Sequence, residues 1–298
     1  MTQGGRRAFR PEGPEERIRE QAFSRIGWGL LAFRLSAVLL GGLLRTLTAG
    51  RAVGPVLRLA AELVWYGVGL GSAWRLMAPL ERQPFEARPV RPGRLAELWC
   101  MAFSGAVVCS RLTGLLEELL ERNTGLVSRD PTEALLAMPW PILLVQTCVL
   151  APVVEEVLFR RIVLERLRPW GDAFAVGLSA LLFALLHGDL AQMLYAWVGG
   201  LALGWAAVET GRLRTSILLH ALLNGATVVQ ALLTGRAALW YTVVLMLAAA
   251  VGMVLWLFRR ETVLRPWERS FRPTELFCCP GMLAFLLWTA LSCVSYLE

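Results

Sequence analysis

The sequence predicts an all-α fold, a polytopic transmembrane helical bundle of eight or nine spans, and three observations carry that expectation. The 298 residues are 56% hydrophobic with mean hydropathy +0.54, and only 18% are charged. A soluble domain carries about 25% charged residues. Apolar runs of the roughly 17–25 residues needed to cross a bilayer recur along the whole chain. The arginines collect between those runs, and they do so on alternate connections.

Taken in order, the candidate spans are 26–44, 53–77, 95–116, 138–158, 173–187, 191–208, 213–233, 237–258 and 276–297. The fifth is short, and the last opens on Cys278-Cys279-Pro280, so the count is eight or nine. Residues 1–25 form a polar N-terminal segment, and 26–298 read as a single integral-membrane domain with its chemistry at about 138–233. Segments 1–25, 78–94, 159–172, 209–214 and 259–275 hold 21 arginines, against 5 on the alternate connections. One of the latter, 117–137, is also acidic, with Glu117, Glu118, Glu121, Asp130 and Glu133. Positive residues stay on the cytoplasmic side. The N-terminus is therefore expected in the cytoplasm and the protein in a bacterial inner membrane. Arg34, Arg58, Glu62, Glu97 and Arg111 interrupt the early spans, and snorkelling or pairing inside the bundle accounts for them.

Several function classes lose ground at once. All thirty basic residues are arginine, and no basic stripe is interleaved with exposed aromatics, so nucleic acid is not an expected partner. Six cysteines lie in apolar segments without CxxC or Cys/His spacing, which makes them small buried hydrophobes. The N-terminal segment lacks the short apolar core of a removable signal peptide.

One constellation resists a structural explanation. Residues 153–161 read VVEEVLFRR, and the chain's two histidines, His187 and His220, both sit in or at the end of apolar segments. A charge at mid-bilayer costs about 2.5 kcal/mol or more. Glu156 and Arg160 are spaced i, i+4 with the acid first, the favourable order for an ion pair. Glu155 is rotated about 100° away on the helix. His220 and Asn224 repeat the i, i+4 spacing, as do Phe183 and His187. If 139–168 is one continuous helix, Glu155 and His187 each lie about 21 Å from the Pro169–Asp172 turn and share a level.

A free carboxylate, two imidazoles and a carboxamide support two chemistries. Glu155 with His187 could activate water while His220 and Asn224 stabilise an oxyanion. Alternatively, two histidines and a glutamate could hold zinc, although no HExxH helix is present. Ser110, Ser179 and Ser216 lack a GxSxG context, which weakens serine chemistry. Asp189 reads as a turn residue.

Together, EExxxR (Glu155 to Arg160), FxxxH (Phe183 to His187) and HxxxN (His220 to Asn224) resemble the three motifs of the CPBP or Abi family. That family comprises CAAX prenyl endopeptidases and bacteriocin-processing enzymes. The resemblance covers about residues 140–230. It implies Glu155 as the water-activating glutamate aided by His187, His220 and Asn224 as the oxyanion pair, and Glu156, Arg160 and Phe183 as supporting residues. It further implies a glutamate-type mechanism without a metal cofactor, and a bundle of about eight helices whose catalytic cavity opens toward the cytoplasmic side. The expected activity is an intramembrane endopeptidase acting on a membrane-associated protein or peptide substrate, maturing or sorting it by C-terminal processing. A non-catalytic immunity or scaffold protein, a zinc-dependent protease and a proton pathway are the competing expectations.

Overall fold

The structure, a computed structural model, describes residues 13–50, 53–127, 136, 138–258, 264–265 and 272–297. Asp130, Glu133 and most of the 259–275 connection lie outside the described residues, as does the N-terminal segment before residue 13. The described chain is helical almost throughout. It runs α1 (Pro14–Leu47), α2 (Pro55–Met77), α3 (Pro92–Thr124), α4 (Trp140–Trp170), α5 (Asp172–His187), α6 (Leu190–Thr210), α7 (Leu213–Leu232), α8 (Gly235–Phe258), α9 (Pro273–Phe277) and α10 (Pro280–Ser295). Six of these, α1, α3, α4, α6, α7 and α8, are long and apolar enough to cross a membrane. Helices α5 and α10 are apolar but shorter, and α2 carries Arg58, Glu62 and Arg75. The chain is a multi-pass membrane protein.

Prolines start most of these helices because a missing N–H costs nothing in the first turn: Pro14, Pro55, Pro92, Pro141, Pro273 and Pro280 all sit there. Helix α1 begins at Pro14, so residues 14–25 belong to the same helix as the first candidate span. Where α1 crosses α10, Gly27 faces the backbone of Gly281 so closely that a Cβ would collide with it. Small residues permit that approach, the usual device where helices associate in lipid.

Helix α4 departs from the continuous α-helix expected over 139–168. Two π segments, Gln146–Leu150 and Val157–Leu164, flank the α turn that carries the glutamates. Proline has no N–H and its ring crowds the carbonyl four residues back, so Pro152 disturbs the bond at Cys148. Ala151 N–H reaches instead to Gln146 O, the wider register.

Helix α5 spans 16 residues, about 24 Å, less than the ~30 Å of a hydrocarbon core. The chain turns back at Gly188, in the left-handed region at φ 71°, and Asp189 caps α6 by accepting from Gln192 N–H at 2.8 Å. Both turn residues are buried. Thr289 of α10 donates to Leu185 O, and Arg34 of α1 lies alongside. The turn is thus enclosed by protein, as irregular backbone at membrane depth must be.

At the arginine-rich end, the α2–α3 connection crosses the α4–α5 hairpin as a strap. Gln83 N–H donates to Glu165 O, Arg88 N–H to Thr210 O, and Arg168 to Gln83 O and Pro84 O while stacking on Phe85. Gly211, at φ 62°, leaves room for Glu86 O where a Cβ would collide.

Candidate active site

The α turn Ala151–Glu156 points its two carboxylates into different surroundings. Glu156 is wholly buried. Arg160 Nε donates to its Oε2 at 2.9 Å and Arg160 Nη2 to its Oε1 at 3.4 Å, while Nη1 reaches Ser179 Oγ at 3.2 Å. Ser179 in turn donates to Phe159 O at 3.0 Å. A buried charge stands only if paired and hydrogen-bonded, and this pair is both. The i, i+4 expectation for Glu156 and Arg160 is met by this geometry.

Helix α7 delivers His220 between the glutamates. Its Nδ1 lies 3.0 Å from Glu156 Oε1 and its Nε2 3.7 Å from Glu155 Oε2. An ionised carboxylate only accepts, so the Nδ1 proton is donated to Glu156 and Nε2 is the nitrogen turned toward Glu155. Ser216, one turn earlier on α7, lies beside the same Glu156 carboxylate and donates its own proton to Leu213 O at 2.9 Å. The Glu155 side chain keeps 23% of its surface exposed, against 0% for Glu156.

Phe183 joins the two histidines. Its ring meets His187 edge-on at 4.9 Å and His220 at 5.9 Å, with the Arg160 guanidinium 5.6 Å from its centroid. His187 Nδ1 lies 3.0 Å from Phe183 O. A carbonyl only accepts, so that nitrogen carries the proton and Nε2 keeps its lone pair.

Asn224 does not point freely into the site. Its Nδ2 donates to Thr147 O at 2.8 Å. That carbonyl is open because the next π partner would be the N–H of Pro152, which does not exist. One amide hydrogen and Oδ1 of Asn224 remain for other work. The seven sequence-selected residues are therefore brought to one region, with His220 closer to the glutamates than a separate oxyanion role required. Sequence reading missed Ser179, Ser216, Thr147 and Pro152 as supports; a proline inside an apolar helix was the available signal for the last two.

Among the described residues, no three of His, Cys, Asp or Glu are placed together to hold a metal ion. Both Glu156 oxygens, His187 Nδ1 and His220 Nδ1 are hydrogen-bonded, which leaves the two Nε2 atoms as the uncommitted ring nitrogens. A cleft of about 490 Å³ at the arginine-rich ends of α3, α6 and α8 is lined by Arg91, Arg94, Glu97, Glu209 and Phe258 and by none of the candidate residues. Its carboxylates are taken by Arg94.

Comparison with known proteins points to the same segment. Residues 137–226 match the family model described as type II CAAX prenyl endopeptidase Rce1-like. A curated relative, "Putative membrane peptidase YdiL" of Bacillus subtilis (strain 168), is 27% identical over 93 residues. The match covers 31% of this chain and 38% of that relative's length. No solved structure matches. All seven candidate residues, Glu155 to Asn224, fall inside 137–226.

Proposed function

Taking the chain as a multi-pass membrane protein of the CAAX-protease (CPBP) family, we propose that it is an intramembrane endopeptidase whose general base is Glu155. The observation that carries the reading is His220 bridging two unlike carboxylates, 3.0 Å from the buried Glu156 and 3.7 Å from the accessible Glu155. Glu156, locked by Arg160, fixes the tautomer and orientation of His220, as a buried acid does for a catalytic imidazole. Glu155 is left to bind and deprotonate water.

In the proposed reaction, Glu155 takes a proton from water as the oxygen attacks the scissile carbonyl. The carbonyl π electrons move to oxygen, and the oxyanion is met by donors that preorganisation makes effective. His220 Nε2, when protonated, and the free Asn224 amide hydrogen are the available donors. The proton held by Glu155 passes to the leaving amine as the C–N bond breaks. His187 Nε2, with its lone pair, accepts from the attacking water and orients it. Glu155 and the two Nε2 atoms account for each proton in this step, so it is written without a metal cofactor. The substrate is a membrane-associated protein or peptide, and the arginine bias supports an inner-membrane location with the N-terminus in the cytoplasm.

The test uses the full-length protein in proteoliposomes with lipid-anchored peptide libraries. Wild type should release defined fragments, also in the presence of a zinc chelator, and Glu155→Gln should release none. Equal cleavage by both would reject Glu155 as the base, and a folded wild type that cleaves nothing would favour the scaffold reading.

A further inference from the structure

The C-terminal end of α2 gathers more positive charge than the protein itself neutralises. Arg161 of α4 and Arg82 of the α2–α3 connection both pair with the buried Glu165. Arg166, farther along α4, is 2% exposed. Its Nε donates to Met77 O at 2.7 Å and its Nη1 to Ile162 O at 2.8 Å, and it meets no carboxylate among the described residues. Arg82, Arg161 and Glu165 all lie within electrostatic range of it, so these arginines share a single carboxylate. A buried charge is costly unless it is paired and hydrogen-bonded. Arg166 is hydrogen-bonded, but its charge is unpaired.

Two more arginines flank this cluster. Arg25 of α1 is exposed and donates to Leu76 O at 3.2 Å. Arg75 of α2 is exposed as well, and neither forms an ion pair among the described residues. Leu76 O and Met77 O are consecutive carbonyls, so Arg25 and Arg166 reach the same last turn of α2 from α1 and from α4. A helix C-terminus offers cations about half an elementary charge. Even with the exposed Glu81 counted beside Glu165, five arginines face two carboxylates and that half charge. The excess is roughly two positive charges.

The apolar neighbours place this excess at a membrane surface. Trp74 of α2 is 42% exposed, and the Arg166 and Arg82 guanidinium groups lie 5.0 and 5.9 Å from its ring centroid. Trp28, three residues after Arg25 on α1, is 44% exposed, and Leu76 is 37% exposed. Exposed tryptophans on membrane helices sit at headgroup level. Guanidinium groups match a phosphate with paired donors, while the indoles and Leu76 offer apolar surface to the chains of the same molecule. A basic pocket between membrane helices suits an anionic headgroup.

We propose that the end of α2, between Arg25 and Trp28 of α1 and Arg161 and Arg166 of α4, binds the phosphate headgroup of an anionic phospholipid. The site is separate from Glu155 and His220 and does not rest on the hydrolase reading. Bound there, the lipid bridges α1, α2 and α4, and a ligand that binds only the folded protein raises its unfolding midpoint.

The test uses the full-length protein in detergent, titrated with dioleoylphosphatidylglycerol, dioleoylphosphatidylcholine or inorganic phosphate. Thermal midpoint and lipid retention in native mass spectrometry are read. Wild type should retain the glycerol lipid about tenfold more strongly than the choline lipid, with a higher midpoint, and phosphate alone should do neither. The double variant Arg75→Gln/Arg161→Gln should lose that preference; Arg75 is exposed and Arg161 keeps 42% of its side chain exposed. Arg25→Gln, a change at an exposed position, should weaken it and serves if the double variant does not fold. Arg236→Gln, an exposed arginine of α8, should keep it. Equal retention of the two lipids by wild type overturns the proposal without any variant. So does a preference that survives the patch variants or disappears in Arg236→Gln. An equal response to inorganic phosphate overturns it in favour of a soluble anion.

Discussion

His220 serves two acids because its ring nitrogens are unlike. Nδ1 is fixed on Glu156, and only Nε2 is left to respond to what happens at Glu155. The two carboxylates should therefore fail differently when changed. Glu155→Gln should lower cleavage by about 10²–10⁴-fold, the usual weight of a general base, with an unchanged thermal midpoint in detergent. Arg160→Ala leaves Glu156 at zero exposure without its guanidinium and with only the His220 hydrogen bond. It should cost about 3–5 kcal/mol of stability, read as a large fall in unfolding midpoint and in membrane yield before any kinetic assay. Glu156 and Arg160 were legible as a pair from i, i+4 spacing alone. The bond from His220 to Glu156 was not, because a separation of 64 positions carries no local signal of their meeting.

Helix α4 shows what hydropathy leaves out. Its apolar length announced a span, yet hydropathy is blind to hydrogen-bond register, and the two π segments are changes of register. Widened turns recur at functional sites in helices; here one of them opens Thr147 O to Asn224. Pro152→Ala restores an N–H beneath the Cys148 carbonyl. The α register should then become available, Thr147 O should lose its need for Asn224, and the glutamates should rotate relative to α7. The expected outcome is a fall in turnover of at least tenfold with equal or higher thermal stability, since proline inside a helix costs about 3 kcal/mol. Unchanged turnover would show that the π register does not matter to the site. The shortness of α5 was likewise readable, but the cover supplied by α1 and α10 comes from residues more than a hundred positions away.

At the scale of the whole molecule, the helical membrane bundle followed from apolar length, because lipid imposes it directly, and six of the helices are long and apolar enough to span. What the sequence did not carry is the strap over the α4–α5 hairpin. Its attachment runs through backbone groups: Glu165 O, Thr210 O and the space above Gly211. Gly211→Ala would place a Cβ against Glu86 O at a positive φ. It should destabilise by more than about 1 kcal/mol and raise protease sensitivity between Leu80 and Arg91.

The central claim is that Glu155 makes this membrane bundle a protease, and comparison of membrane proteomes from cells carrying wild type, Glu155→Gln or a deletion tests it most directly. New protein termini should appear with wild type alone, with the same proteins intact in the other two strains. Wild-type termini restored by Glu155→Gln would contradict the account and leave the VVEEVLFRR pair a structural one.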